Sequence, residues 1–254
     1  MLKNSIVVSI ILLTLGSVAG CNSEKESVPV VTIYDPATAT ARVFGSIKFE
    51  GTPPEIIPLR AGGSAYCVRN ARELVDEAVS LTSDKKLRNV IVYVRQGQEG
   101  RTYEAPSETV VLDQQKCVYV PHVLTVMTNQ KLSVRNSDPT FHNVHGTSHA
   151  NPGFNIAQAE KGAENVLTFT KAEAPFRIGC DLHRWMGAFV GVFDHPFHTT
   201  SGVSGNYELR LPPGKYEIVA WHEKFGEKAM PVEVAENSRM ELNFAFAGTS
   251  APVQ

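Results

Sequence analysis

Cys180-Asp-Leu-His183-Arg-Trp-Met186 places a thiolate, an imidazole and a thioether three residues apart in one short run. Soft sulfur donors combined with imidazole select copper over the hard cations, and two imidazoles with a thiolate in one plane and a weak axial thioether make the blue-copper arrangement. The run holds only one imidazole. A second comes from Asn136-Ser-Asp-Pro-Thr-Phe-His142-Asn-Val-His145, where His142 lies in a polar turn directly after an alternating strand at 131–135. The candidate metal set is therefore His142, Cys180, His183 and Met186, for one copper ion cycling between Cu+ and Cu2+. His145 is the alternative to His142, and its position three residues further on predicts a side chain pointing back into the fold. Taken singly, each residue has a plainer use: a cysteine as a small buried hydrophobe, a methionine as core filler, a histidine as a satisfied surface group.

The two runs together resemble the cupredoxin (plastocyanin- and amicyanin-like) family. In that family a first His comes from a loop after a strand and is followed by Asn, and a Cys…His…Met loop supplies the rest. His142-Asn143 and Cys180…His183…Met186 fit position by position, and the two-residue gaps on either side of His183 match the short ligand loop of the amicyanin-like members. The resemblance covers residues 123–193. It implies a Greek-key β-sandwich with a type 1 copper site that carries single electrons between redox partners, a donor and an acceptor, and is not an enzyme. It also implies that Asn143 ties the first-His loop to the Cys loop, that Trp185 and Phe141 form an apolar shell, and that an exposed edge of His183 is the electron exit.

The N-terminus suits export. Lys3 precedes an apolar run at 6–15 and small residues ending Val18-Ala19-Gly20-Cys21, which reads as a signal peptide over 1–20, since a membrane span needs about 20 apolar residues. Val-Ala-Gly-Cys resembles a bacterial lipobox, which implies diacylation of Cys21 and a lipoprotein held on a membrane facing the periplasm. Asn22 after it favours the outer membrane by analogy with proteobacterial sorting. Residues 21–40 begin polar and aperiodic and read as a flexible tether. Removing Lys3 with the leader takes the net charge from −2 to −3, and no basic cluster exceeds Lys85-Lys86-Leu-Arg88, so a nucleic-acid partner is not expected.

Four cysteines divide into Cys21, Cys180 and the pair Cys67 and Cys117. In an oxidising compartment the pair is most simply a disulfide, closing about 50 residues and contributing roughly 3 to 4 kcal/mol. A second metal site at the two sulfurs is the alternative, although neither has a His or Cys at ligand spacing.

The chain has no convincing long amphipathic helix. Short alternating segments with turn residues between them predict an all-β protein. Strands are expected at 41–49, 77–81, 89–94, 109–112, 117–120, 123–128, 131–135, 165–169, 176–180 and 187–193, a short helix between 65 and 75, and loops at 96–107 and 150–161. Past His195 the pattern changes. Tyr207, Leu209 and Leu211 alternate with Glu208 and Arg210, Pro212-Pro-Gly214 turns, and Tyr216, Ile218 and Ala220 alternate again, with further strands at 230–234 and 240–246. This resembles the second half of a carboxypeptidase-regulatory-like, transthyretin-like sandwich, smaller than the first unit; 41–49 is a candidate for its missing opening strand. The expected organisation is an extended cupredoxin domain over 41–195, a structural or docking unit over 196–248 and a tail over 249–254.

Three other readings compete. The same ligands suit a copper store, delivery protein or sensor. A nitrite-reductase-like enzyme would need a second copper, for which His195 and His198, three apart, are the only candidates at ligand spacing. The C-terminal unit also suits an envelope scaffold with an incidental metal site. No nucleophile elbow, P-loop, haem-attachment motif or paired-carboxylate motif is present.

Overall fold

The computed structural model describes residues 32–55, 58–70 and 75–248. The expected leader, the expected lipid site at Cys21 and the expected tail at 249–254 lie outside the described residues. The described chain opens with β1 (Thr32–Ile33), β2 (Ala41–Glu50), helix α1 (Ala65–Asn70), β3 (Ile91–Gln96) and β4 (Arg101–Thr102). There follow β5 (Val110–Gln115), β6 (Val118–Val120), β7 (Val123–Met127), β8 (Lys131–Asn136), β9 (His142–Gly146), β10 (Phe154–Gln158), β11 (Glu164–Thr168), β12 (Glu173–Gly179) and β13 (Gly187–Phe193). The last group is β14 (His198–Thr200), β15 (Asn206–Leu211), β16 (Gly214–His222), β17 (Gly226–Val234), β18 (Arg239–Glu241) and β19 (Phe244–Ala247).

Strands β5 to β13 form a two-sheet Greek-key sandwich. One sheet runs β10-β9-β12-β13-β7 and the other β11-β8-β5-β6, so the chain crosses repeatedly between layers. Leu112, Tyr119, Leu132 and Val134 of one sheet meet Val126, Val144, Ile178, Ala188 and Val190 of the other in a buried core that also holds Cys180 and Met186. A second sandwich packs the sheet β14-β3-β16-β17 against β15-β2-β18, with β19 also on β2. Its alternation follows from period-two side-chain placement: in β15, Tyr207, Leu209 and Leu211 are buried while Asn206, Glu208 and Arg210 are exposed. Strand β2 pairs with β18 over Arg42–Phe44 and with β19 over Ile47–Glu50. At the crossover a Cβ on Gly45 would lie 1.9 Å from the Leu242 carbonyl oxygen, so only glycine fits there.

Several expectations are corrected. The sheets do not divide at 195/196: β2 and β3, from the N-terminal part of the chain, belong to the second sandwich, which is therefore larger than four strands. The tether does not run to residue 40, because β1 pairs with β4 inside the expected 96–107 loop and Tyr34 packs on Tyr103 and Phe197. Residues 77–81 are not a strand; Asp76 caps a 3-10 turn at Glu77–Val79 by accepting from the Ala78 N–H at 2.9 Å. The expected loop at 150–161 contains β10, a run of only 5 residues in which Phe154 and Ile156 alternate with exposed Asn155 and Ala157. The expected strand at 240–246 is broken in two by Leu242 and Asn243, and Asn243 Oδ1 accepts from Ser46 N–H at 2.8 Å.

The sandwiches meet through Ile91 and Trp221 from one and Val123 and Phe193 from the other, all buried. Beside this cluster His122, just before β7, bonds to Glu223, just after β16, and lies 3.8 Å from Glu77. Burial works against a charge on His122, but the hydrogen bond and charge of Glu223, with Glu77, outweigh it and raise its pKa above 6.5. A raised histidine contributes stability in full below its unfolded pKa and loses it as pH rises through the folded value. Glu223→Gln is therefore expected to cost about 1 to 3 kcal/mol near pH 6, and less at pH about 9, as read from urea midpoints at both.

Candidate metal centre

The first sheet sets the site. Strand β12 lies between β9 and β13, with Gly179 opposite both His145 and Gly187. The β12–β13 connection, Cys180 to Met186, therefore emerges beside the start of β9, where His142 stands. His142 is not in the expected turn but is the first residue of that strand. Gly179 and Gly187 leave room for the Arg177 guanidinium, which a Cβ at either would meet at 2.3 and 3.0 Å. From there Arg177 donates to the Met186 carbonyl at 3.0 Å. The loop closes on itself by Met186 N–H to His183 O, 2.7 Å, and Cys180 N–H to Met186 O, 3.4 Å.

Three donor atoms converge. His142 Nδ1 lies 3.0 Å from His183 Nδ1, and Cys180 Sγ lies 3.5 Å from His183 Nδ1 and 4.0 Å from His142 Nδ1. Donors at typical metal–N and metal–S distances of about 2.0 to 2.3 Å in a trigonal plane sit about 3.5 to 3.8 Å apart. The triangle brackets that spacing, so it fits one metal ion with small adjustment. All three residues are buried, and Met186, fully buried, lies in the same core cluster. A second group, Cys117, Asp138 and His142, also lies close together, but Cys117 is bonded to Cys67 and offers no thiolate. The same bond removes the alternative of a metal held by those two sulfurs.

Asp138 organises the histidine side. Its Oδ2 accepts from His142 Nε2–H at 3.0 Å and from Cys117 N–H at 2.8 Å, and its Oδ1 accepts from Lys116 N–H at 2.6 Å. Burial opposes its charge, yet the bonds to His142 and to these amides hold the carboxyl below its ordinary range. The same pairing fixes the proton on His142 Nε2 and turns Nδ1 toward the triangle, as outer partners do for metal-binding histidines. His142 is raised, with its bonds to Asp138 and Cys180 outweighing burial, whereas burial and the neighbouring His142 lower His183. The Cys180 thiol is lowered: burial opposes this, and the hydrogen bonds from His142 and nearby backbone outweigh it.

Asn143 bridges the two runs, with Oδ1 accepting from Cys180 Sγ–H at 3.3 Å and from Asp181 N–H at 2.8 Å. Trp185 packs on the His183 ring at 5.1 Å and donates from Nε1 to Cys117 O at 2.9 Å. Phe141 does not join the shell. It is 42% exposed, because its neighbour His142 takes the inward direction at the strand start. His183 has no exposed edge. It is only 3% exposed, and Cys67 Sγ lies 3.5 Å from its Nε2. His145 points outward to Asp181 at 2.9 Å rather than back into the sandwich. His195 is buried and His198 half-buried, with ring centroids 6.3 Å apart among aromatic rings, and among the described residues they belong to no metal-binding group. Asp138 and the cover on His183 were not foreseen; the only sequence signal for Asp138 is its place four residues before His142.

No protein-family model matches the chain, and no curated protein matches it. Among solved structures, the chain is similar to a mutant of amicyanin in its reduced Cu(I) form, at 25% identity over 35% of this chain and 86% of that one, with TM-score 0.30. A copper-containing nitrite reductase from Thermus scotoductus SA-01 is similar at 19% identity over 34% of this chain, with TM-score 0.31; the match spans 22% of that enzyme. A purple cupredoxin from Nitrosopumilus maritimus is similar at 18% identity over 33% of this chain and 98% of that one, with TM-score 0.29.

Removing the carboxylate that orients His142 tests the centre without touching the three donors. Asp138→Asn is expected to weaken Cu2+ binding by about 10- to 100-fold, measured by competition against a chelator of known affinity.

Proposed function

We propose that the chain is a type 1 copper protein that carries single electrons between a donor and an acceptor protein in the cell envelope, with no enzymatic turnover of its own. The observation that supports this most is the convergence of two imidazole Nδ1 atoms and one lowered thiol within 4.8 Å of one another. That donor set favours copper over Zn2+ or the hard cations. His142, Cys180 and His183 would hold the ion, with Met186 as the weak fourth donor, and copper would supply the one-electron chemistry. The protein's contribution is rigidity. Donors held by a packed sandwich and by Asn143 and Asp138 cannot relax toward the separate geometries that Cu(I) and Cu(II) prefer. Export and lipidation at Cys21 would put this carrier on the periplasmic side of a membrane, the outer membrane in a proteobacterial setting.

One observation favours a second reading. His183 is covered rather than presented to a partner, which suits a copper store or delivery protein that has no need of rapid electron exchange.

The experiment loads the form starting after Cys21 with Cu(II), beside Cys180→Ser. An intense blue band with narrow copper hyperfine splitting, absent from the variant, is expected; a weakly absorbing wild type would overturn the type 1 reading. Voltammetry then separates the two functions, with a reversible one-electron wave expected for the carrier and a sluggish, irreversible one for the store.

A further inference from the structure

The Cys67–Cys117 disulfide touches the surroundings of both imidazoles. Cys67 Sγ lies 3.5 Å from His183 Nε2, on the side of the ring away from the donor triangle. Gly63 covers the same edge: a Cβ placed on it would lie 3.5 Å from Nε2 and 3.6 Å from Cδ2. At the other half of the bond, Cys117 N–H donates to the Asp138 oxygen that also accepts from His142 Nε2–H, at 2.8 and 3.0 Å. Cys117 O accepts from Trp185 Nε1–H at 2.9 Å, and the Trp185 ring packs on His183. Tyr66, next to Cys67, donates to Asp138 Oδ1 at 3.1 Å. A closed circuit therefore runs from His142 through Asp138, Cys117 and Cys67 to His183. Its one covalent cross-link is the disulfide, and both sulfurs are fully buried.

We propose that this disulfide is the outer clasp of the metal centre: it positions both imidazoles and shuts the outer edge of His183 away from solvent and partners, and reduction opens that edge. The inference rests on the reading that the centre holds copper. A dithiol would open the clasp by giving two electrons and two protons, becoming a disulfide itself and leaving thiols at Cys67 and Cys117. Helix α1 carries Cys67 and Tyr66, which tie it to the sandwich through the disulfide and the hydrogen bond to Asp138. With the bond cut, local opening of that short segment is the cheapest motion available.

The test uses the copper-free full chain, treated with diethyl pyrocarbonate and mapped by peptide mass. His183 is expected to react at least about tenfold faster in Cys67→Ser/Cys117→Ser or in dithiol-reduced protein than in the oxidised wild type. His195 and His222, buried in the second sandwich or beside it, report general unfolding and are expected to stay protected. Unchanged His183 reactivity overturns the proposal. If the Ser pair exposes all three histidines, stepwise reduction of the wild type decides: His183 opening first supports the clasp, and all three opening together makes the bond a general staple and overturns it. In the copper-loaded Ser pair, a shifted absorption maximum and altered hyperfine splitting are expected. A wild type that is not blue would sink the copper reading and leave the metal-free result standing. A blue wild type whose spectrum and His183 protection ignore the bond would sink this inference alone.

Discussion

The loop from Cys180 to Met186 keeps its shape through hydrogen bonds at its buried Cys180, His183 and Met186. Asp181 N–H and Cys180 Sγ–H are met by one atom, Asn143 Oδ1, and the Met186 and Cys180 amides turn to His183 O and Met186 O. A buried donor left without a partner costs about 1 to 3 kcal/mol, so these few bonds decide where the loop can sit. They require β9 beside β12 in the observed register. A slip of β9 by one residue would turn Val144 out of the core and carry Asn143 to the other face. The donor triangle is thus a consequence of strand pairing.

The centre is also electrically uneven. His142 and His183 present their Nδ1 atoms 3.0 Å apart, yet the first is raised and the second lowered. The difference lies in what stands behind each ring. His142 has the Asp138 carboxylate on its far nitrogen; His183 has a neutral disulfide sulfur. One positive charge is therefore favoured on His142, and the lowered Cys180 thiol faces it. His142, Cys180 and His183 would hold a metal ion, which would compete with a proton for His142 and would find in Cys180 a thiol that gives up its proton more readily than a free one.

What was legible in the sequence was local. The spacing of Cys180, His183 and Met186 brings soft donors onto one loop, and the alternation in residues such as Tyr207, Leu209 and Leu211 marks a half-buried strand with no knowledge of its neighbours. Cys67 and Cys117 were a pair because little else was left for them, and they are bonded. What was not legible depended on chain segments far apart. Nothing near His183 announces that Gly63 and Cys67, more than a hundred residues earlier, lie over its edge. The outward turn of Phe141 and His145 is likewise set by β9 starting at His142, a boundary that the polar run around it concealed.

The same long-range pairing changes how the second sandwich is to be regarded. Strand β2 is bordered by β15 on one side and β18 and β19 on the other, and β3 lies between β14 and β16. Cutting away the C-terminal strands would leave both with bare edges, and Val43, Ile47, Val92 and Val94, now fully buried, would face water. At about 1.5 to 3 kcal/mol for each such side chain, four of them alone approach the total stability of an ordinary domain, about 5 to 15 kcal/mol. Phe189 would also lose its ring contact with Trp221 across the junction. The first sandwich is inserted between strands of the second, so its site sits on a platform that only the end of the chain completes. A truncation that removes 205–246 would therefore disturb the fold and the site together, and only point changes at exposed positions, such as Lys228 and Glu233 of β17, can separate docking from folding.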